Sequence, residues 1–527
     1  MTRDFQLPGR SPVFAGDAMA ATSHPLATLT AIETLKAGGN AADAAVAAVA
    51  LLGIAEPHMT GIGGDCFCLI AKPGEPVWGY NGSGRSAAAM QSDTLSKQGW
   101  RDIPLDCVHA VTVPGAVEAW QTILDSHGRF GLDRALQPAI QAAKAGVPTA
   151  PRVAFDWALH AAKLRKDPGA ALHYLPRGAA PKTGERMQYA ALAETLSAIA
   201  KGGASAFYEG EIAQDIVETL RASGGLLTEA DFAAHRGEEA QPISTNYRDL
   251  DVVELPPNGQ GLTALVLLNI LERFEMDRLD PSSAERFHLE LEAGRLAYAV
   301  RNTHIADPDF MTTPPQALLD RVFAADLADS IDRAKRSTMP AAPAPRGNTV
   351  LVSVVDRDHM AVSLICSLFY PFGSGIATER TGILLQNRGC SFSLVAGHPN
   401  AIGPRKRPMH TIIPALAMRE NRCDMAFGVM GGSYQAMGHA HFISNIVDYG
   451  MDVQAAIDAP RVFFEGEKTD VERGVPRAAI EGLIARGHDV TIRDLPLGGG
   501  QAIRIDWERG VLIGGSDGRK DGCALGY

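Results

Sequence analysis

From Pro25 to Glu56 small and apolar residues recur at helical spacing in PLATLTAIETLKAGGNAADAAVAAVALLGIAE, interrupted only at Gly38-Gly39. Two helices are predicted, the second capped by Asn40, whose side-chain oxygen can accept a free first-turn amide. MTGIGGDCFCLIAKPG then reads as a glycine loop running into a strand. Residues 110–240 are mostly amphipathic helix with turn signals, and a second helical block follows the PPNGQG loop at 256–261 and runs to about Asp307. Residues 330–347, SIDRAKRSTMPAAPAPRG, have no period and the composition of a linker or mobile segment. The texture then changes. TVLVSVVD and MAVSLICS are strand-like runs joined by a short turn at 356–359, and the first is apolar on both faces, so a sheet covered on both sides is predicted. Further strand-and-turn material is expected through GILLQN and in HTIIPALAMR, then a helix at HAHFISNIVDYG and a strand region in QAIRIDWERGVLIGGS.

Composition narrows the classes. A chain of 527 residues allows two or three domains or one large layered body, and 46% hydrophobic residues supply a core. A net charge of −11 disfavours polyanionic partners, so nucleic-acid binding is not expected. The N-terminal stretch has no apolar core of signal-peptide length after its charged residues, and no later run reaches the length of a membrane span, so neither export nor membrane insertion is expected. Seven cysteines without framework spacing predict a reduced, cytoplasmic protein. Cys66 and Cys68, in CFCLI, read as buried strand residues rather than metal ligands, and no metal or organic cofactor is expected.

Three features carry candidate chemistry. Thr349 follows Gly347-Asn348 where the loose segment meets a buried strand. A threonine hydroxyl needs an adjacent base to become a nucleophile, and its own α-amino group serves once the Asn348–Thr349 bond is cut. Strand propensity alone also supplies threonines at such positions. Met430-Gly431-Gly432-Ser433 lies between an apolar run and a helix. Paired glycines let backbone N–H groups face a reacting carbonyl, although a tight turn needs the same residues. The third feature is PFGSGI at 371–376 with GPRKRPMHTIIP at 403–414, each a turn by composition.

Taken in order, these segments resemble the γ-glutamyltransferase family. The opening helical pair with GIGGDCF, VPG at 113–115, the proline-rich loop at 256 and YAVRNTHIADPDF at 298–310 are similar to its large-subunit landmarks. The T-x(3)-S-V-V-D run at 349–356, FGSGI, GILLQN, AIGPRKRP, GGS and the closing ALGY are similar to its small subunit. The resemblance implies an α+β fold, a four-layer αββα sandwich of the N-terminal-nucleophile hydrolase type. It implies self-cleavage between Asn348 and Thr349 into a large piece, residues 1–348, and a small piece, residues 349–527, which stay together as a heterodimer, with a dimer of such pairs left open. Thr349 is then the nucleophile, Gly431 and Gly432 form the oxyanion hole, and Ser367 is the hydroxyl that assists it.

The departures from the family fall in the substrate pocket. Asn81, in GYNGSGRSA, stands where the family has a carboxylate-binding arginine, with Arg85 four residues on. Ser391, in NRGCSF, stands where an aspartate holds the substrate ammonium, and a neutral hydroxyl makes no such charge-assisted bond. Phe369 replaces an asparagine, Arg388 a glutamine, His410-Thr411 a pair of serines and Val350 a second hydroxyl. Losing the amino-acid clamp while adding positive charge suits a small anionic amide. The same replacements resemble the oxamate-hydrolysing members of the family, which release oxalate and ammonia in purine breakdown. Arg85, Arg388, His410 and Thr411 are the candidate substrate-binding residues. The alternatives are a γ-glutamyl hydrolase or transferase acting on glutathione, a glutaryl-type (cephalosporin) acylase, and a non-catalytic binding protein on the same scaffold.

Overall fold

The computed structural model describes residues 9–338 and 347–527, apart from the side chain of Asn348. Of the linker predicted at 330–347, residues 339–346 lie outside the described residues. The fold is α+β, built on two seven-stranded sheets whose strand pairs are all antiparallel.

In the first sheet the order is Val13–Ala15, Val511–Ser516, Gly499–Asp506, Arg422–Met430, Ala415–Arg419, Leu250–Glu254, Ile243–Tyr247. In the second it is Cys523–Gly526, Met19–Thr22, Asn348–Val355, Ala361–Phe369, Asp65–Ala71, Trp78–Gly82, Glu238–Glu239. Each sheet thus draws strands from both sides of Thr349. The sheets meet through Asn348–Val355, which packs on Arg422–Met430 and Gly499–Asp506.

Helix Ala41–Ala55 lies against strands Asn348–Val355 and Ala361–Phe369. All of its residues are buried, which its alanine-rich sequence permits because small side chains let helix and sheet approach closely. Asn40 caps it as predicted, and the Asp43 carboxylate returns a bond to the Asn40 amide at 2.8 Å. On the first sheet, helix Tyr434–Val447 packs against Arg422–Met430, and helix Gly261–Leu271 packs against Ile243–Tyr247.

The predicted hairpin across 356–359 is present, and both strands are buried throughout their described side chains. Two strand expectations are corrected. GILLQN forms only an isolated bridge, Ala377 to Leu384, and HTIIPALAMR becomes strand only at Ala415–Arg419. These apolar side chains are buried by tertiary packing, so hydrophobicity alone misled the assignment. The helix expected at HAHFISNIVDYG begins earlier, at Tyr434.

Candidate active site

Thr349 is fully buried in the strand Asn348–Val355. Its partner strand pairs Phe369 with Asn348 and Cys366 with Val350, so Ser367 and Leu368 together oppose the single residue Thr349. This bulge breaks the ladder at Thr349, where regular pairing would otherwise hold it. Thr349 Oγ1 donates to Ser367 Oγ at 3.3 Å and accepts from Gln435 Nε2 at 3.1 Å.

Ser367 Oγ also accepts from the Phe369 amide at 2.7 Å and from an Arg388 Nη2 at 3.3 Å. Phe369 has φ of +78°, a left-handed conformation that is costly for an aromatic residue. Its ring lies under the Arg388 guanidinium, 3.9 Å from centroid to carbon.

Arg388 is fully buried in a short 3₁₀ turn, and its Nη1 donates to Thr411 Oγ1 at 2.8 Å. Its Nε finds no hydrogen-bond acceptor, and no carboxylate ion-pairs with it, among the described residues. Burial pulls its pKa down to about 10, opposed by the Asp65 charge, so it remains a cation at neutral pH.

His410 and Asp65 are both fully buried, with Nε2 3.0 Å from Oδ2. The Ile412 amide donates to His410 Nδ1 at 3.3 Å, so Nε2 carries the ring proton and donates to the carboxylate. Burial, reinforced by the Arg388 charge, pushes the His410 pKa down to about 4 against the pull of Asp65. Asp65 Oδ1 meanwhile accepts from the amides of Gly84 at 3.2 Å and Gly115 at 3.1 Å, and from Gln386 Nε2 at 3.0 Å.

Gly431 and Gly432 follow the strand Arg422–Met430 with φ of +129° and +60°. A β-carbon on Gly431 would sit 2.8 Å from the Gly498 α-carbon. Gln260 Nε2 donates to the carbonyls of Gly432 at 2.9 Å and Thr411 at 2.8 Å, tying the glycine turn to the Arg388 partner. A β-carbon on Gly347 would come 3.0 Å from the Gly432 α-carbon, so the chain entering the Asn348–Thr349 bond lies against that turn. Next to Gly347 and Gly431 opens a cavity of about 300 Å³, lined in part by Tyr370, Tyr434 and Phe463.

Thr349, Ser367, Arg388 and Thr411 are therefore joined by direct contacts. His410 adjoins Thr411 in sequence, but both its ring nitrogens are occupied, so it supports the group rather than offering it a free donor. Arg85 is not brought to them. Its guanidinium reaches Asp307 at 3.1 Å, Glu238 at 2.8 Å and the Arg405 carbonyl at 3.1 Å. Asn81 is likewise engaged, donating to Asn258 Oδ1 at 2.7 Å and accepting from Ser83. Asp65, Gln386 and Gln435 were not foreseen as parts of the site.

The chain belongs to the gamma-glutamyltranspeptidase family. The family model of that description matches residues 27–527. A glutathione hydrolase-like proenzyme of Bacillus subtilis is 40% identical over 96% of this chain and 98% of its own. An oxamate amidohydrolase proenzyme of Klebsiella pneumoniae is 36% identical over 97% of this chain and 98% of its own. A cephalosporin acylase from Bacillus halodurans superposes with a TM-score of 0.93 at 35% identity, covering 100% of this chain and 99% of its own. Members similar to this one thus carry the names of amide hydrolases with different substrates, and the family alone does not choose among them.

All seven cysteines are free thiols, with Cys66 and Cys68 buried. Elsewhere, His288, Glu292 and His488 bring three potential ligand atoms within 4.8 Å of one another. Both rings are also engaged in hydrogen bonds. His288 Nε2 donates to the Asp332 carbonyl at 2.7 Å, His488 Nε2 to His288 Nδ1 at 2.8 Å, and Thr469 Oγ1 to His488 Nδ1 at 3.3 Å. Among the described residues no helix is long and apolar enough to cross a membrane.

Proposed function

We propose that this member is a self-processing amidohydrolase that attacks a small anionic amide through Thr349, with oxamate as the substrate. The observation that carries this reading is the buried Arg388 cation. A charge taken out of water is costly unless an opposite charge meets it, and no described carboxylate ion-pairs with this one. Its Nη2 bonds the same Ser367 oxygen that accepts from Thr349. A substrate carboxylate on Arg388 and Thr411 would therefore have its attached carbonyl close to the nucleophile.

In this reading the Thr349 hydroxyl first attacks the Asn348 carbonyl and displaces the Thr349 α-amino group, and hydrolysis of the resulting ester then frees the hydroxyl. That amine then takes the hydroxyl proton as Oγ1 attacks the substrate amide. The amides at Gly431 and Gly432 receive the developing oxyanion, ammonia leaves, and water releases oxalate from the acyl-enzyme. Each sheet combines strands from both sides of the cut, which supports a large piece 1–348 and a small piece 349–527 remaining as one αββα body. The similarity to the oxamate amidohydrolase supports the substrate.

A second reading has its own support. The cavity beside Gly431 has room for a bulky leaving group, and the structural likeness to a cephalosporin acylase points the same way. Product release from oxamate, glutamine, γ-glutamyl anilide and glutaryl amides separates the readings. Dominant ammonia release from oxamate supports the first. Preference for a glutaryl amide of a bicyclic amine supports the second, and preference for γ-glutamyl compounds overturns both.

A further inference from the structure

Gln435, in the first turn of helix Tyr434–Val447, is fully buried. Its Oε1 accepts the Ile413 amide at 3.1 Å. A main-chain N–H can only donate, so this contact fixes which end of the side-chain amide is oxygen. The other end, Nε2, donates to Thr349 Oγ1 at 3.1 Å. Thr349 passes its own proton toward Ser367 at 3.3 Å, so the bonds run in one direction, from Gln435 through Thr349 to Ser367.

Resting on the reading of Thr349 as nucleophile, we propose that Gln435 is a further catalytic residue whose Nε2–H stabilises the Thr349 oxygen as a leaving group. The balance of the processing steps shows where such a donor acts. In the first step Oγ1 bonds to the Asn348 carbonyl carbon, the Asn348–Thr349 C–N bond breaks, and the hydroxyl proton goes to the departing nitrogen. The product is an ester with a free amine. In the second step water adds to the ester carbonyl and the C–Oγ1 bond breaks. Oγ1 leaves with the bonding electron pair and regains a proton that originates in the water.

Negative charge gathers on Oγ1 only in the second step. A donor fixed beside that oxygen slightly weakens the lone pairs that attack, yet stabilises the departing alkoxide in a dry site much more. The same holds for the acyl-enzyme formed from substrate, where Oγ1 is again the leaving oxygen. Because Ile413 holds the amide in place, the donor needs no reorientation during the reaction.

Processing itself supplies the test, so no substrate need be assumed. Precursor made by cell-free translation is followed over time by gel and intact mass, with and without hydroxylamine, which captures esters. In wild type the ester should be short-lived and little hydroxamate should form at Asn348. In Gln435→Met, which keeps the length but removes the donor, the ester should accumulate as an Asn348 hydroxamate. Completion should slow by roughly 10²- to 10³-fold, on the scale of a lost oxyanion donor. Gln435→Glu keeps an acceptor for Ile413 but offers Thr349 no donor when ionised. It should behave like the methionine variant, and it carries the test if methionine destabilises the fold. Native-rate processing in both variants, or slow processing without trapped ester, overturns the role of Gln435 alone. A wild-type chain left uncut at Asn348–Thr349 overturns the reading of Thr349, and this role with it.

Discussion

His410 and Asp65 form a buried pair in which the ring proton has only one place to be. Nε2 must donate to the carboxylate, 3.0 Å away, because Nδ1 accepts from Ile412. Asp65→Asn keeps the shape but turns an amide N–H toward that ring proton, setting donor against donor, if its oxygen still serves Gly84, Gly115 and Gln386. The expected cost is about 1–3 kcal/mol in urea unfolding. Since Thr411 follows His410 and holds Arg388, KM for an anionic amide should rise at least tenfold while self-cleavage persists. Unchanged stability and KM would remove Asp65 from the support of the site.

Thr349→Ala should remain a single band on a denaturing gel, and Thr349→Ser should cleave, more slowly than wild type. N-terminal sequencing of the smaller wild-type fragment should begin at Thr349. Cleavage of the alanine variant at the same bond would rule out attack by this side chain.

Replacing Arg388 separates processing from turnover. Arg388→Met removes the cation that the substrate carboxylate is proposed to meet, yet that cation does not take part in cutting Asn348–Thr349. Self-cleavage should survive, while oxamate hydrolysis falls by roughly 10²-fold or more in kcat/KM, on the scale of a lost charged contact. Arg85→Met, by contrast, breaks ion pairs with Asp307 and Glu238 and should reduce kcat/KM much less.

At Gly431 geometry does the work. A valine there must adopt φ near +129° and place its β-carbon 2.8 Å from Gly498. The turn has to shift, and a misplaced oxyanion donor costs roughly 10²–10³ in turnover. Gly431→Val should stay folded by circular dichroism and lose activity on that scale.

Acid should destabilise the protein over a defined window. His410 titrates near 4 when folded, below its ordinary value of 6.5, so the unfolded chain binds an extra proton between those values. Stability should therefore be full above about pH 6.5 and decline as pH falls toward 4, by at most about 1.4 kcal/mol per pH unit for this residue. His24 and His235, also buried and lowered to about 4, act in the same direction. Urea midpoints from pH 7 to 4 should show the slope, and His410→Gln should make it shallower.

The parts of this protein legible in its sequence are those encoded locally. The hairpin beginning at Thr349 was visible because both its faces are apolar, and the helix at Ala41 because Asn40 precedes a small-residue run. Arg388 and Thr411 were reached through the family resemblance, and the structure joins them at 2.8 Å. Asp65 was hidden because its partner His410 lies 345 residues away, and no local pattern reports that a buried carboxylate will meet an imidazole. Gln435 reads as an ordinary first-turn residue, and its contact with Thr349 spans 86 residues. The partners of Arg85, Asp307 and Glu238, meet it only in the folded chain, and its proximity in sequence to Asn81 says nothing of them.

If the chain is cut before Thr349 as proposed, the sharing of each sheet between strands from either side of that residue also sets the order of events in the protein's life. Before the cut, the chain finds its register as one molecule, and dilution does not matter. Afterwards neither piece holds a complete sheet, so a denatured enzyme must regain its fold through a second-order encounter between unlike chains, each exposing unpaired strand edges. The uncut precursor should refold at a rate independent of concentration. The matured protein, once unfolded, should recover in proportion to how concentrated its halves are and lose the race to aggregation when they are dilute. Processing then works as a ratchet, leaving the native state in place while removing the easy road back to it.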